Sequence, residues 1–203
     1  MSTFFDDRRP HEGLTYDAYK DAWQEKLRRS MAELSSDERR YQHYARYNWE
    51  RAEAVEEQYT ASEELKEIMA AIDTPHLWMV LTDDWCGDSA FSLPVIARAA
   101  SLSDHVTLRI LRRDDNLDIM DQYLTNGSRS IPKLVAFTED GEEIFDWGPR
   151  PAAAAALREN LIAEGAEGRD VVEPLIAWYE EGGYQDVEEE LLTLLKASVP
   201  AGQ

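Results

Sequence analysis

The 203 residues carry 41 acidic and 21 basic side chains, which gives a formal net charge of −20 at pH 7. This acidity argues against partners with dense negative charge, so we expect neither a nucleic-acid nor a membrane partner. No apolar run approaches the roughly 20 residues that span a bilayer, and the polar first ten residues do not resemble a signal peptide, so we expect a soluble, cytoplasmic protein.

The first 73 residues are predicted to be helical. Apolar residues, many of them aromatic, recur every three or four positions from Tyr16 to Leu34, which marks one face of a first helix. Ser35 and Glu38 form a capping box that opens a second helix, and a third helix over 62–72 ends before a proline. The second helix carries a similar row of residues: Tyr41, Tyr44, Asn48, Ala52, Val55 and Tyr59. We interpret these aromatic rows as core, and the alternative is a face that binds a partner.

Strands and helices alternate in the centre of the chain. The predicted strands cover 77–81, 106–111, 133–137 and 142–147, and the predicted helices cover 86–100, 114–124, 151–163, 170–181 and 185–197. Asn126 and Gly127 are expected to close the helix over 114–124, and a turn at 139–141 joins the last two strands as a hairpin. This order predicts an α/β fold with a parallel core and an antiparallel edge.

Cys86 is the one cysteine of the chain, so the chain cannot form an intrachain disulfide or an all-cysteine zinc or iron–sulfur site of its own. The histidines show no ligand spacing with other donors: His11, His43, His76 and His105. We therefore expect no metal site and no bound cofactor. Cys86 is then either an inert core thiol or a lone reactive thiol.

The segment 85–89, with the sequence Trp-Cys-Gly-Asp-Ser, lies between a predicted strand and a predicted helix. This order places the sulfur of Cys86 at a helix N-terminus, where free N–H groups and the helix dipole stabilise a thiolate. The hydroxyl of Ser89, one turn later, can add a hydrogen bond to the sulfur. Negative charge acts in the opposite direction, and three acids lie close in sequence: Asp83, Asp84 and Asp88. The sign of the pKa shift stays open, but the placement favours an exposed redox position over a core thiol.

At these residues the chain resembles the thioredoxin family. The segment 85–89 is similar to the family's Trp-Cys-Gly-Pro-Cys motif with its last two positions changed, and Pro94 matches the family's helix-kinking proline. Ile131-Pro132 resembles the cis-proline dipeptide that lies against the active cysteine and offers backbone groups to a substrate. Gly148 follows that proline at the family's usual spacing. The resemblance covers about 77–163.

More narrowly, the chain resembles a bacterial thioredoxin-like family of poorly defined function, which has Cys-Gly-Asp-Ser in place of Cys-Gly-Pro-Cys. The segments that carry this likeness are 85–88, 113–117, 123–127, 130–133 and 147–151. The resemblance implies a thioredoxin-like α/β fold, with a central mixed sheet flanked by helices, an N-terminal helical extension and extra C-terminal helices. We expect an extension over 1–75 packed on the core, a thioredoxin-like domain over 76–164, and C-terminal helices over 165–203.

Two departures from the family pattern decide the expected mechanism. Ser89 stands where a resolving cysteine would be, and an alcohol forms no disulfide. Val80 stands where typical thioredoxins carry a buried acid. A standard dithiol reductase is therefore not expected, and the favoured function is monothiol chemistry in cell redox homeostasis.

In this favoured mechanism Cys86 attacks a disulfide or accepts a small thiol, with Ser89 beside it as the second catalytic residue. An external thiol then resolves the adduct, so the chain would be a thiol–disulfide oxidoreductase whose partner is a protein disulfide or a low-molecular-weight thiol. The residues expected to contact the substrate are Trp85, Gly87, Asp88, Ile131 and Pro132.

Two other functions stay open. One is a redox-inactive binding module that keeps the groove for a protein partner and binds equally well without the thiol. The other is iron–sulfur handling, because Cys-Gly-Asp-Ser is similar to the Cys-Gly-Phe-Ser of monothiol glutaredoxins, in which two chains share a cluster.

Several arginines are expected on the cysteine side of the sheet: Arg112, Arg113, Arg129 and Arg150. A guanidinium there could bind a carboxylate or phosphate, including a small anionic thiol such as glutathione. The alternative is internal ion pairing with some of the 41 acids.

Overall fold

A computed structural model describes residues 3–198 of the chain. The α-helices are α1 (Thr3–Asp6), α2 (Tyr16–Arg28), α3 (Ser36–Gln58), α4 (Glu63–Ala70), α5 (Gly87–Ala100), α6 (Leu117–Met120), α7 (Ala152–Ala163), α8 (Arg169–Trp178) and α9 (Gln185–Ser198). The strands are β1 (His76–Thr82), β2 (Val106–Arg112), β3 (Lys133–Thr138) and β4 (Glu143–Trp147). Short 3₁₀ turns occupy Met31–Glu33 and Arg113–Asp115, and a π-helical turn at Tyr179–Gly183 joins α8 to α9.

Within residues 3–198 the strands form one mixed sheet in the order β2-β1-β3-β4. The β1–β2 pair is parallel, and the β1–β3 and β3–β4 pairs are antiparallel. The predicted mixed sheet is confirmed, but the expectation of a parallel core was wrong. The segment between β2 and β3 contains only a 3₁₀ turn and the four-residue α6, which do not form a crossover helix. Only the connection through α5 therefore has the β-α-β form that gives parallel pairing.

Apolar residues fill both faces of the sheet. The larger buried cluster joins residues of the N-terminal helices, α5, the sheet and the C-terminal helices, as shown by Trp23, Val80 and Leu191. The smaller cluster lies on the other face and includes Phe4 of α1, Met79 of β1 and Cys86. The cysteine therefore belongs to the second core of the molecule. The three-part division of the chain stays a prediction.

The N-terminal helices bury a set of side chains that differs from the predicted set. The capping box of Ser35 and Glu38 is present at the start of α3. The first helix ends at Arg28, however, and Met31 is exposed. On α3 the buried row is Gln42, Ala45, Asn48, Ala52 and Val55, whereas Tyr41 and Tyr44 are exposed.

The polar members of this row are buried because their amides find backbone partners. Gln42 donates to the carbonyl groups of Lys26 and Arg29, at 2.8 and 3.1 Å. Asn48 donates to the carbonyl of Asp84 at 3.0 Å. Asn48 also accepts from Arg51 at 3.1 Å, whereas the side-chain oxygen of Gln42 has no partner in the described residues. Hydrogen bonds to neighbouring segments therefore act together with apolar burial to set the face of α3.

The expected helix over 114–124 was also wrong in extent, because α6 covers only Leu117–Met120. Asn126 and Gly127 do not cap it. They occupy a tight turn in which Thr125 and Ser128 exchange backbone hydrogen bonds of 2.9 and 3.0 Å, and both turn residues have positive φ. Asn-Gly is the sequence that favours such a two-residue turn.

Among the helices of residues 3–198, none combines the length and the apolar composition that a membrane span requires.

Candidate functional site

Cys86 lies at the junction between β1 and α5. Its amide donates to the carbonyl of Asp83 at 3.1 Å, which closes the turn after the strand, and its carbonyl accepts from Ala90 at 3.2 Å, which starts the helix. Cys86 is the N-cap residue of α5, but its side chain caps no helical N–H group. The sulfur is directed elsewhere: Sγ donates to the carbonyl of Ile131 at 3.2 Å. The Ile131–Pro132 peptide bond is cis, so the thiol lies beside a cis-proline.

The expectation that Cys86 is exposed was wrong, because only 8% of the residue is accessible. It packs in the second core with residues such as Met79, Leu81 and Ile131. Burial, followed by the negative charge of Asp88, raises the pKa of the Cys86 thiol to about 12. The Ser89 hydroxyl and amide and the Arg150 charge lower this pKa, but their effect is smaller. The direction of the Cys86 pKa shift, which the sequence left open, is therefore upward.

Ser89 lies one turn into α5 and is buried, with 3% of its surface accessible. Thr82 at the end of β1 donates to its hydroxyl at 2.7 Å. Val80, which replaces the acid of typical thioredoxins, is fully buried in β1. Neither the hydroxyl of Ser89 nor the side chain of Val80 can take up a proton from the thiol at neutral pH.

Asp88 makes the densest polar cluster near the motif. Arg150 donates to both carboxylate oxygens of Asp88, at 3.1 and 2.6 Å, and the hydroxyl of Tyr179 donates to Oδ1 at 2.9 Å. The ring of Tyr179 also stacks on Phe91 of α5, with 4.7 Å between centroids. The C-terminal helical region is therefore attached to the second residue of α5. Sequence reasoning missed Tyr179, since it lies 91 positions from Asp88.

Trp85 forms the outer side of the motif and is partly exposed. The guanidinium of Arg113 lies 4.7 Å from the centroid of its ring, and Tyr41 of α3 approaches it at 6.0 Å between centroids. A pocket of about 270 Å³ opens between α3 and the motif, with Tyr41, Trp85 and Asp83 in its wall. Gly87 and Asp88, on the other side of the sulfur, are also partly exposed.

Gly148 holds the cis-proline segment in place by close approach. Its φ is +115°, and a Cβ atom there would lie 2.2 Å from the carbonyl oxygen of Pro132. Only glycine fits this backbone conformation at this distance. Pro132 is buried and Ile131 is 4% exposed, so the dipeptide presents little surface.

The two acids before the motif are buried and differ in their partners. Asp84 forms ion pairs with Lys26 at 2.5 Å and Arg112 at 3.4 Å. Asp83 accepts from the amide of Asp114 at 3.2 Å. Burial, followed by the charge of Asp114, raises the pKa of the Asp83 carboxyl to about 7.

The arginines considered for anion binding have carboxylate partners within the chain. Arg150 pairs with Asp88, Arg113 pairs with Asp114 at 2.5 Å, and Arg129 pairs with Asp121 at 2.6 Å. Arg112 pairs with Asp84. Internal pairing, the alternative interpretation, therefore describes these side chains. In residues 3–198 no group of three or more His, Cys, Asp and Glu side chains could hold a metal ion.

The structure brings together the segment 85–89 and the 131–132 dipeptide, as the sequence predicted. It adds Tyr41 and Tyr179 from the flanking helices. The signal that could have found Tyr41 is its place outside the 42-45-48-52-55 row of buried positions on α3. Nothing in the sequence points to Tyr179.

The mixed sheet, the cysteine at the N-terminus of α5 and the adjacent cis-proline define a thioredoxin-fold protein. A family profile described as thioredoxin matches residues 34–162. Because this match covers more than half of the chain, the chain belongs to the thioredoxin family.

Solved structures similar to the chain support the same fold. One is the crystal structure of a protein of unknown function from Pseudomonas aeruginosa, with 15% identity, a TM-score of 0.55, and coverage of 91% of this chain and 98% of the other. Another is an HIV epitope-scaffold protein, with 16% identity, a TM-score of 0.54, and coverage of 91% and 99%. A search of curated proteins found no significant match.

Proposed function

We propose that the chain is a thioredoxin-fold binding module, which recognises a protein partner at the surface around Trp85 and does not turn over disulfides. The observation that carries this proposal is the position of the thiol. Cys86 Sγ lies in the second core, donates to the carbonyl of Ile131 at 3.2 Å, and has a pKa of about 12.

A thiol with this pKa is a poor nucleophile at neutral pH. The thiolate is the reactive form, and a pKa of about 12 leaves roughly one molecule in 10⁵ ionised at pH 7. The carbonyl of Ile131, which the family resemblance assigns to substrate binding, is already engaged by the thiol. Ser89 cannot resolve a mixed disulfide. These three features favour recognition over redox turnover.

The outer side of the motif retains the chemistry of a binding surface. Trp85 is partly exposed and Tyr41 is 39% exposed. Aromatic side chains of this kind dominate the energy of protein interfaces, because they bury a large area while keeping a polar tip. Arg113, stacked on Trp85 at 4.7 Å, holds the indole in one orientation. A preorganised aromatic side chain loses less entropy when a partner binds.

The test compares three variants as immobilised baits in a reducing lysate, with bound proteins identified by mass spectrometry. Cys86→Ser is expected to retain the partners of the unmodified protein within about twofold. Trp85→Ala is expected to weaken them by about tenfold or more. Ile162→Ala, a change at an exposed apolar residue of α7, is the matched control and should have no effect. Loss of the partners in Cys86→Ser would overturn the proposal.

A second candidate is monothiol exchange, which the location of the sulfur favours. Sγ lies at the N-terminus of α5 beside a cis-proline, and one hydrogen bond holds it inward. In this reaction the Cys86 thiolate attacks a partner disulfide, a new S–S bond forms, and the departing partner thiolate takes up the proton. An external small thiol, such as glutathione, then attacks the mixed disulfide and releases the Cys86 thiolate. Adducts on non-reducing gels that Cys86→Ser abolishes would support this candidate.

Iron–sulfur handling fits the residues less well. A shared cluster needs a thiolate at a surface that two chains can reach, whereas the Cys86 thiol is buried and donates a hydrogen bond. A colourless monomer after anaerobic reconstitution is the expected result.

A further inference from the structure

The outer face of α3 carries a row of tyrosine and arginine side chains, of which Arg51 is paired with Glu180 of the C-terminal region. Arg40, Tyr44, Tyr47 and Arg51 follow at i, i+4, i+7 and i+11, so they lie in one stripe along the helix. Tyr44 is 50% exposed and Tyr47 is 48% exposed. We call these four residues the α3 tyrosine face. Tyrosines exposed together on one helix are a typical feature of binding surfaces.

This face continues into the candidate site. Tyr41 lies three positions before Tyr44 and is therefore its neighbour on the helix surface. It is 39% exposed and approaches Trp85 at 6.0 Å between ring centroids. At the other end, Tyr47 lines a pocket of about 350 Å³ together with Phe91 and Tyr179. A ligand on the α3 tyrosine face could therefore reach the partly exposed side of the motif without crossing a buried element.

The charge around this face is opposite to that of the rest of the chain. Residues 39–47 contain three arginines and no acidic side chain, a net charge of +3, whereas the whole chain carries −20, which leaves −23 for the remainder. A positive region in so acidic a chain concentrates attraction for anions at one place on the surface.

Three arginines, Arg40 of the face and two others beside it, have no carboxylate partner in the described part of the chain. Arg39 donates to the carbonyl of Leu34 at 2.7 Å, and Arg46 donates to that of Leu27 at 3.4 Å. Arg40 lies over the ring of Tyr41, 5.5 Å from its centroid. All three are exposed. Their remaining N–H groups are free to bind carboxylates of another molecule.

We propose that the α3 tyrosine face binds an acidic, extended segment of the partner protein, which runs along α3 towards Trp85. The proposal rests on the binding function proposed above and specifies the chemistry of the partner. Carboxylates of the segment pair with Arg39, Arg40 and Arg46, and its backbone and aliphatic groups cover Tyr44 and Tyr47. A nucleic acid fits less well, because its regular phosphate charge would extend beyond the basic region and meet the acidic surface.

The probe for the test is a fluorescein-labelled peptide of about twelve residues, rich in glutamate, followed by fluorescence anisotropy. The unmodified protein should bind it, and raising the salt concentration from about 20 mM to about 200 mM should weaken binding several-fold. The double variant Arg40→Glu/Arg46→Glu should weaken binding by about tenfold or more, and Tyr44→Ser/Tyr47→Ser should weaken it by roughly fivefold. Arg158→Glu is the matched control, since Arg158 is exposed on α7 and also has no carboxylate partner in the described residues, and it should bind like the unmodified protein.

Three results would overturn the proposal. The first is that Arg158→Glu weakens peptide binding as much as Arg40→Glu/Arg46→Glu does, which would indicate a general charge effect, or that the unmodified protein does not bind the peptide. The second is that the protein binds a twelve-nucleotide thymidine strand more tightly than the peptide, which would assign the face to nucleic acid. The third is a concentration-dependent dimer in sedimentation that Arg40→Glu/Arg46→Glu abolishes, which would assign it to a second copy of the chain.

Cys86→Ser separates this proposal from the binding function. It should bind the peptide normally, because the thiol contacts no residue of the α3 tyrosine face. If natural partners are lost in Cys86→Ser while the peptide still binds, the non-redox function fails and the acidic docking segment stands. If Trp85→Ala loses natural partners but the charge variants retain them, the docking segment fails and the binding function stands.

Discussion

The inner and outer sides of the Trp-Cys-Gly-Asp-Ser segment differ in burial and in the groups they contact. On the inner side, Cys86 and Ser89 are buried, and the thiol is hydrogen-bonded to the carbonyl before the cis-proline. On the outer side, Trp85 remains partly exposed between Tyr41 and Arg113. The atom that carries redox chemistry in this family lies inside, and the groups suited to recognition lie outside.

The inner side also shows that a helix N-terminus does not by itself make a cysteine reactive. The dipole of a helix stabilises a nearby anion by at most about 2 kcal/mol, or roughly 1.5 pKa units. Full burial of an ionisable group shifts its pKa by up to 3–5 units. Burial therefore outweighs the dipole at Cys86, and the charge of Asp88 acts in the same direction as burial.

The largest expected effect comes from forcing the inner side apart. Gly148→Ala places a Cβ atom against the Pro132 carbonyl at a φ that alanine rarely adopts, so the free energy of unfolding should fall by about 4 kcal/mol or more. Gly165→Ala is the matched control, because Gly165 also has positive φ but nothing within 4 Å of the added atom; it should lose only about 1 kcal/mol. Chemical denaturation measures both, and equal losses would show that the close approach to Pro132 is not tight.

The next effect concerns the contact between the motif and the C-terminal helices. Asp88→Ala leaves the mostly buried guanidinium of Arg150 without its carboxylate and removes the acceptor for Tyr179. The free energy of unfolding should fall by about 3 kcal/mol. Asp121→Ala breaks the exposed pair with Arg129 and should change stability little. A similar small change in both variants would mean that the Asp88 cluster does not hold the C-terminal region to α5.

A third effect is pH-dependent and arises at Asp83, on the wall of the pocket beside Trp85. Its pKa is about 7 in the folded state and about 3.9 in the unfolded state, so the folded state holds the proton more strongly between these values. Stability conferred by the neutral carboxyl is therefore lost as the pH rises from about 4 to about 7.

Asp83→Asn keeps the acceptor for the Asp114 amide but cannot ionise. Thermal unfolding of the variant should depend less on pH in this window, and at pH 8 it should be more stable than the unmodified protein by on the order of 2 kcal/mol. Parallel pH profiles for the two proteins would show that the Asp83 carboxyl has an ordinary pKa.

The smallest effect is expected at the sulfur itself. Cys86→Ser retains a donor for the Ile131 carbonyl and nearly the same volume, so the free energy of unfolding should change by less than about 1.5 kcal/mol. Cys86→Ala removes the donor and leaves a small cavity, so it should be the less stable of the two. Denaturant titration of both variants gives the comparison, and a more stable alanine variant would argue against the hydrogen bond.

Much of the site could be predicted because local sequence order determines it. A strand, a polar turn and a helix fix where Cys86 lies, and the capping box at Ser35 fixes the start of α3. The family resemblance places Ile131 beside Cys86, but it does not predict the burial of the sulfur. That burial depends on packing with residues as distant in sequence as Phe4 and Met120. Tyr41 was assigned to the core because its ring is apolar, but the buried side of α3 consists of small apolar residues such as Ala45 together with amides that find carbonyl partners, such as Asn48.

The measurement that tests the central claim most directly is the titration of the Cys86 thiol. The ultraviolet absorbance of the thiolate is recorded from about pH 5 to about pH 10 for the folded protein, and the signal of Cys86→Ser is subtracted to remove the tyrosines. Burial of the sulfur predicts no inflection in this range, since the pKa is about 12. It also predicts alkylation by iodoacetamide that is slow at about pH 8 and still rises with pH without a plateau. An inflection below about pH 8 would contradict the account and return the molecule to monothiol chemistry.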